Sequence, residues 1–219
     1  MHGSEVEARS GDILVDYNYT RSYDETHPLI CMDEGCKQQV EEVRTPLPVK
    51  PGEPERYDSE YERNGVSLLF MMFEPLNGKR FVDVTERRTA VDWAHQIREL
   101  TEVRYPHAKR ITLVMDNLNT HVGASLYKAF KPQEARRILD KLDLHYTPKH
   151  GSWLNMAEIE LSVLSRQCLD RRIPDQQFLE REVKAWEEKR NASPAPVDWR
   201  FTTENARIKL KQLCPTLEG

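Results

Sequence analysis

The sequence predicts an α/β fold in which a mixed sheet, an antiparallel meander joined to parallel strands, is covered by helices. Two patterns lead there. Short, nearly all-apolar runs bounded by turn residues read as buried strands at 28–32, 66–74 and 110–115. Between and after them the apolar positions shift to three- and four-residue spacing, which is how helices cover a sheet.

Residues 1–27 are polar without a sustained period and read as a leader or the remnant of a longer linker. Pro28-Leu29-Ile30-Cys31-Met32 follows as a buried central strand, closed by a turn at Asp33-Glu34-Gly35. Lys37 to Val43 alternates loosely enough to pair back against it. Four prolines between 44 and 60 keep that stretch extended or looped. Val66 to Glu74, the turn Pro75-Leu76-Asn77-Gly78 and the alternating run Lys79 to Thr85 form a meander. Thr89 opens a helix with Val91, Ala94, Ile97 and Leu100 on one face, ended by Tyr105-Pro106.

Arg110 to Met115 is the next buried strand and ends in Asp116-Asn117. Then come a helix from Pro132 to Leu142, a short strand Leu144-His145-Tyr146, the loop Thr147 to Gly151 and a long helix from Leu154 to Leu169. Pro174 suits the first turn of a helix from Asp175 to Lys189, whose stripe is Phe178, Leu179, Val183 and Trp186. Thr203 caps a last helix through Leu213. The chain thus divides into 1–27, a domain at 28–172 and a helical extension at 173–219 that packs on that domain or extends it.

Composition narrows the function. The 219 residues carry 36 acidic and 32 basic side chains, a balance of −4, which argues against a stand-alone high-affinity DNA-binding module but leaves room for an enzyme that touches DNA locally. No apolar run approaches a membrane span, and Met-His-Gly-Ser-Glu-Val-Glu has neither a basic nor an apolar signal region, so a cytoplasmic protein without membrane contact is expected. Cys31, Cys36, Cys168 and Cys214 are too sparse for a disulfide framework. Cys31 and Cys36 read as buried thiols, because no second close cysteine or histidine pair completes a zinc set. A phosphate-cradling glycine loop and a Gly-x-Ser-x-Gly elbow are both missing from the sequence.

Two aspartates follow apolar strands, Asp33 and Asp116, and strand ends are where an open sheet presents side chains to ligands. If the strands are parallel neighbours, both carboxylates enter one crevice, and a hard divalent cation relieves their repulsion. Each has a polar companion, Glu34 and Asn117, which weakens the alternative that each is only a turn former. The helix from Leu154 offers a third carboxylate at Glu158 or Glu160, on opposite flanks of its apolar stripe, and periodicity does not choose between them.

The strings Leu113-Val-Met-Asp116-Asn117-Leu-Asn119-Thr-His121 and Tyr146-Thr-Pro-Lys149-His150-Gly-Ser-Trp-Leu154-Asn155-Met-Ala-Glu158 resemble the DDE transposases of bacterial insertion sequences related to the mariner superfamily. Ile30-Cys-Met-Asp33-Glu34, Val82 to Trp93 and Asp198 to Thr203 extend the likeness over about residues 20 to 213. The family's first two acids fall on Asp33 and Asp116. Its third follows a Leu-Asn pair, which selects Glu158, although Met156-Ala157 stand where the family has Pro-Ile. The 41 residues between Asp116 and Glu158 exceed the mariner spacing, and the loop around Phe130 can absorb them.

The resemblance implies an RNase H-like fold and a Mg²⁺-dependent enzyme of DNA strand cleavage and strand transfer. Asp33, Asp116 and Glu158 would hold two Mg²⁺ ions, with Mn²⁺ able to substitute. Glu34, Asn117, Asn119, His121 and Asn155 are candidates for orienting that site, and Lys149 and His150 for contacting the DNA backbone. Its partners would be double-stranded DNA, as transposon ends and target, a second copy of the chain, and a separate helix-turn-helix polypeptide replacing a region that full-length relatives carry. DNA binding would place it at the nucleoid. The competing readings are a non-catalytic or regulatory remnant and, more weakly, a nuclease for RNA:DNA hybrids.

Overall fold

A computed structural model describes residues 19–42, 61–148, 152–200, 202, 204, 205 and 208. Five strands, β1 (Leu29–Glu42), β2 (Tyr61–Glu74), β3 (Lys79–Thr85), β4 (Ile111–Met115) and β5 (Leu142–Tyr146), form one sheet in the order β3-β2-β1-β4-β5. The first three pair antiparallel, whereas β4 runs parallel to both β1 and β5. The helices are α1 (Ala90–Glu99), α2 (Leu126–Ala129), α3 (Pro132–Asp140), α4 (Met156–Leu164) and α5 (Gln176–Asn191). None of them is long and apolar enough to cross a membrane. The mixed sheet with helical cover is the fold class that the strand and helix periods predict.

Strand alternation sorts the core into two layers. Leu29 and Cys31 of β1, Leu69, Met71 and Phe73 of β2, and Val114 of β4 pack with Leu154, Met156, Ala157 and Leu164 around α4 and with Leu179, Val183 and Trp186 of α5. Their neighbours Ile30, Met32, Phe70, Met72, Leu113 and Met115 point to the other face and meet Trp93, Ala94 and Ile97 of α1, Leu126 of α2 and Ala135 and Ile138 of α3. Both faces are therefore dry, and the apolar runs of β1 and β4 follow from that.

Four details depart from the sequence pattern. Asp33-Glu34-Gly35 is not a turn, and the described part of the next run, Lys37 to Glu42, does not fold back. β1 continues through them because β2 pairs with it from Cys31↔Phe73 to Glu42↔Tyr61, a ladder that outweighs local turn preference. Pro174 lies before α5 rather than in its first turn, since Asp175 is the cap and accepts from the Phe178 amide at 2.7 Å. A short helical segment, Gly123–Ser125 running into α2, precedes α3. Cys36 is exposed, whereas Cys31 and Cys168 are buried, and all three are free thiols. Thr203, most of the last helix, the proline-rich 44–60, Cys214 and residues 1–18 fall outside the described residues. Tyr19, the first residue described, packs in the α4 layer and its hydroxyl donates to the Leu154 carbonyl.

The edge strand β3 is closed by side chains of α5. Asn191 accepts from the Arg80 amide at 3.0 Å and donates to the Arg80 carbonyl at 2.7 Å, and Glu187 accepts from the Val82 amide at 2.7 Å. These bonds occupy backbone groups that an open edge would leave for another strand. Beneath them Arg80, only 1% exposed, pairs through Nε with Glu160 of α4 at 3.0 Å, and Arg190 approaches the other Glu160 oxygen at 3.5 Å. One carboxylate thus joins β3, α4 and α5. Removing one member of a buried pair strands the other's charge, so Glu160→Gln should lower unfolding stability by about 3 kcal/mol. Glu158→Gln, on the exposed side of the same helix, should cause no comparable loss when urea midpoints are compared.

Candidate functional site

The parallel pairing of β1 with β4 sets the site. Leu29, Ile30 and Cys31 lie opposite Thr112, Leu113 and Val114. Extending that register by two residues brings Asp33 level with Asp116 on adjacent strands, which lie about 4.8 Å apart. Cys31 and Val114 face α4, so two residues on both aspartates face α4 as well. Asp33 is not at the end of its strand, as the sequence pattern has it, but two residues past the part that pairs in parallel with β4. Burial pushes its carboxyl up to about 6, against an amide hydrogen bond from Glu34, and the charges of Asp116, Glu158 and Glu34 raise it further.

Helix α4 brings the third acid. Asn155 caps it, accepting from the Ala157 amide at 3.2 Å, and the same side chain donates from Nδ2 to the Met32 carbonyl at 2.8 Å. Asn155 is 2% exposed, so this amide ties the start of α4 to the residue before Asp33. Close approach is also permitted by Gly35, where a Cβ would come within 3.3 Å of Leu161. Glu158 then falls in the first turn of α4, where the helix dipole favours a negative charge.

Asp33, Asp116 and Glu158 line one cavity of about 520 Å³, together with Glu34, Asn155, Thr147, Ser152 and the stretch Gly35-Cys36-Lys37. All the acidic donors are hard carboxylate oxygens, which suits Mg²⁺ or Mn²⁺ rather than a thiolate-seeking metal. Among the described residues the acids share this cavity without forming a group of three drawn in to the span of a single ion. The donor set fits a divalent cation, since a cation offsets both the burial of the Asp33 carboxylate, the main cause of its raised carboxyl, and the repulsion from Asp116 and Glu158 that adds to it.

The other sequence candidates separate. His121 is buried and bridges two acids, with Nε2 donating to Glu34 Oε1 at 2.9 Å and Nδ1 lying 2.6 Å from Asp116 Oδ1. Burial alone would push its imidazole down, but its contacts with Asp116 and Glu34 outweigh that and lift it to about 9, so it is a cation at neutral pH. Asn117 and Asn119 are exposed in the turn after β4 and do not line the cavity. Lys149 and His150 lie outside the described residues. Glu160, the alternative third acid, points away into its pairing with Arg80. Sequence reasoning missed Lys37, Thr147 and Ser152 in the cavity wall, and Trp93 and Tyr146 beside His121. All but Lys37 lie within the strings that carry the resemblance, so their place in those strings is the signal that could have found them.

Residues 28–180 match the sequence profile of the DDE superfamily endonucleases. No curated protein sequence matches the chain. Among solved structures, the Mos1 mariner paired end complex with Mn superposes with a TM-score of 0.57 at 17% identity, covering 96% of this chain and 59% of that one. The Mos1 strand transfer complex gives 0.57 at 15% identity, over 85% and 54% of the two chains. The mariner Mos1 paired end complex with Mg gives 0.54 at 16%, over 86% and 56%. At such identities the likeness establishes the RNase H-like fold, and the chain spans less than two thirds of the length of these structures.

The Asp33 carboxyl holds its proton more tightly in the folded chain than the ordinary value of 3.8 allows. Its ionisation therefore costs folded-state stability, a cost absent below 3.8 and complete once the pH has risen past about 6. With chelator present, Asp33→Asn should melt above the wild type near pH 8, as followed by thermal unfolding. The gain should shrink as the pH is lowered toward about 4; a pH-independent difference would contradict this assignment.

Proposed function

The chain belongs to the DDE superfamily of endonucleases, and on that premise we propose that it is the catalytic domain of a transposase. In this reading it cuts DNA strands at transposon ends and transfers the freed 3′ ends to target DNA. The supporting observation is the meeting of Asp33 of β1, Asp116 just after β4 and Glu158 of α4 in the wall of one cavity. These three side chains would hold two Mg²⁺ ions, with Mn²⁺ as a substitute. When bound, the ions would supply activation of water or a 3′-hydroxyl and stabilisation of the leaving oxygen at phosphorus.

The chain's own residues prepare that chemistry. Asp33 loses its proton by about pH 6, so near neutral pH it presents an anionic ligand. Glu158 is anchored at the start of α4 by the Asn155 amide, which sets its height against Asp33 through the Met32 carbonyl. Residues 28–172 are assigned as the catalytic unit and 173–219 as an extension, α5 packing against β3 through Asn191 and Glu187. Mos1 has been solved as paired end and strand transfer complexes. By that analogy the present chain would act on double-stranded DNA, at transposon ends and target, as a dimer.

A plasmid-nicking assay tests the reading. With Mn²⁺ or Mg²⁺ the wild-type chain should convert supercoiled to nicked DNA, and Asp116→Asn should abolish the conversion while still unfolding in one cooperative transition in chelator, at a lower temperature because the buried His121 loses a partner. A folded wild type without metal-dependent nicking would leave the non-catalytic remnant as the better account.

A further inference from the structure

We infer that His121 is a positioning residue that fixes the Asp116 carboxylate for its cation, and that Glu34 fixes His121 in turn. This rests on the reading of Asp116 as a metal ligand. Glu34 and Asp116 stand on opposite faces of the sheet. Glu34 follows the α1-facing Met32 by two residues, whereas Asp116 follows the α4-facing Val114. The turn after β4 carries His121 round the end of the sheet to meet both, at 2.9 Å and 2.6 Å.

The ring is held on every side. His121 is 1% exposed, and its imidazole stacks on the Trp93 indole of α1 with centroids 5.9 Å apart and planes 27° apart. The Tyr146 hydroxyl at the end of β5 donates to the His121 carbonyl at 2.8 Å. Arg88 reaches the far oxygen of Glu34 at 3.8 Å, which balances that buried carboxylate from the solvent side. Nδ1 stands 2.6 Å from one Asp116 oxygen as an ion pair and 3.4 Å from the Asp116 carbonyl, so the imidazole occupies that side of the carboxylate and leaves its other oxygen for an ion. A ligand held by an outer partner in this way loses less rotamer freedom on binding.

The two ring nitrogens can be tested separately. An asparagine amide reaches the place of Nδ1, and a glutamine amide that of Nε2. Mn²⁺ affinity would be measured by calorimetry on the full chain, with thermal unfolding recorded for each variant and Asp116→Asn as the control for the underlying reading. His121→Ala should weaken Mn²⁺ binding roughly 10- to 100-fold. His121→Asn should recover most of that loss, and His121→Gln should not. If the alanine variant fails to fold, the asparagine and glutamine variants carry the comparison alone. Unchanged or tighter Mn²⁺ binding in His121→Ala would overturn the inference, since the imidazolium would then act only as a repelling charge. Equal losses in the asparagine and glutamine variants, in step with their melting temperatures, would overturn it too. A wild type that binds no Mn²⁺, or an Asp116→Asn variant that binds it as the wild type does, would remove the metal-ligand reading and the inference with it.

Discussion

The pairing of Leu29, Ile30 and Cys31 with Thr112, Leu113 and Val114 is the contact on which the site depends. It is short, parallel and buried on both faces. A slip of one residue would send every side chain of β1 to the opposite layer, exchanging Cys31 for Met32 against α4. The apolar residues around it therefore hold the register firmly, and two carboxylates inherit it. Asp33 and Asp116 are brought together by hydrophobic packing although their charges repel.

Burial and that repulsion shape the surroundings. Asp33 carries them, burial first, as a raised proton affinity, whereas Asp116 has the buried imidazole of His121 beside it. A protein that gathers acids at one point gives up stability there and recovers it elsewhere. Here the recovery is visible in the two dry layers of the sheet and in the bonds by which α5 closes the β3 edge.

The two glutamates of α4 show how one helix serves both needs. Two positions apart is about 200° around a helix, so Glu158 and Glu160 point in nearly opposite directions. Glu158 enters the cavity, while Glu160 is buried between Arg80 and Arg190. Loss of the second would loosen the seat of the helix that carries the first. A residue outside the cavity thereby governs its geometry, and Asn155 does the same from the other end of the helix by bonding to Met32.

Much of this was legible in the chain. Apolar runs and their spacing marked every strand and four of the five helices, because both layers of a dry sheet need apolar side chains and helical cover needs a period near 3.6. Asp33, Asp116 and Glu158 stood out through the motifs around them. The turn read at Asp33-Glu34-Gly35 failed because local preference is weak against a twelve-pair ladder with β2. The sequence by itself determined which residues are apolar, where the elements fall and which acids are candidates. Only the tertiary structure decided that Asp33 and Asp116 lie level, that Glu160 is an internal ion pair, and that His121 bridges Glu34 to Asp116. Those are contacts between residues up to 87 positions apart, and spacing along a chain carries no record of which distant groups the packing of a core will bring together.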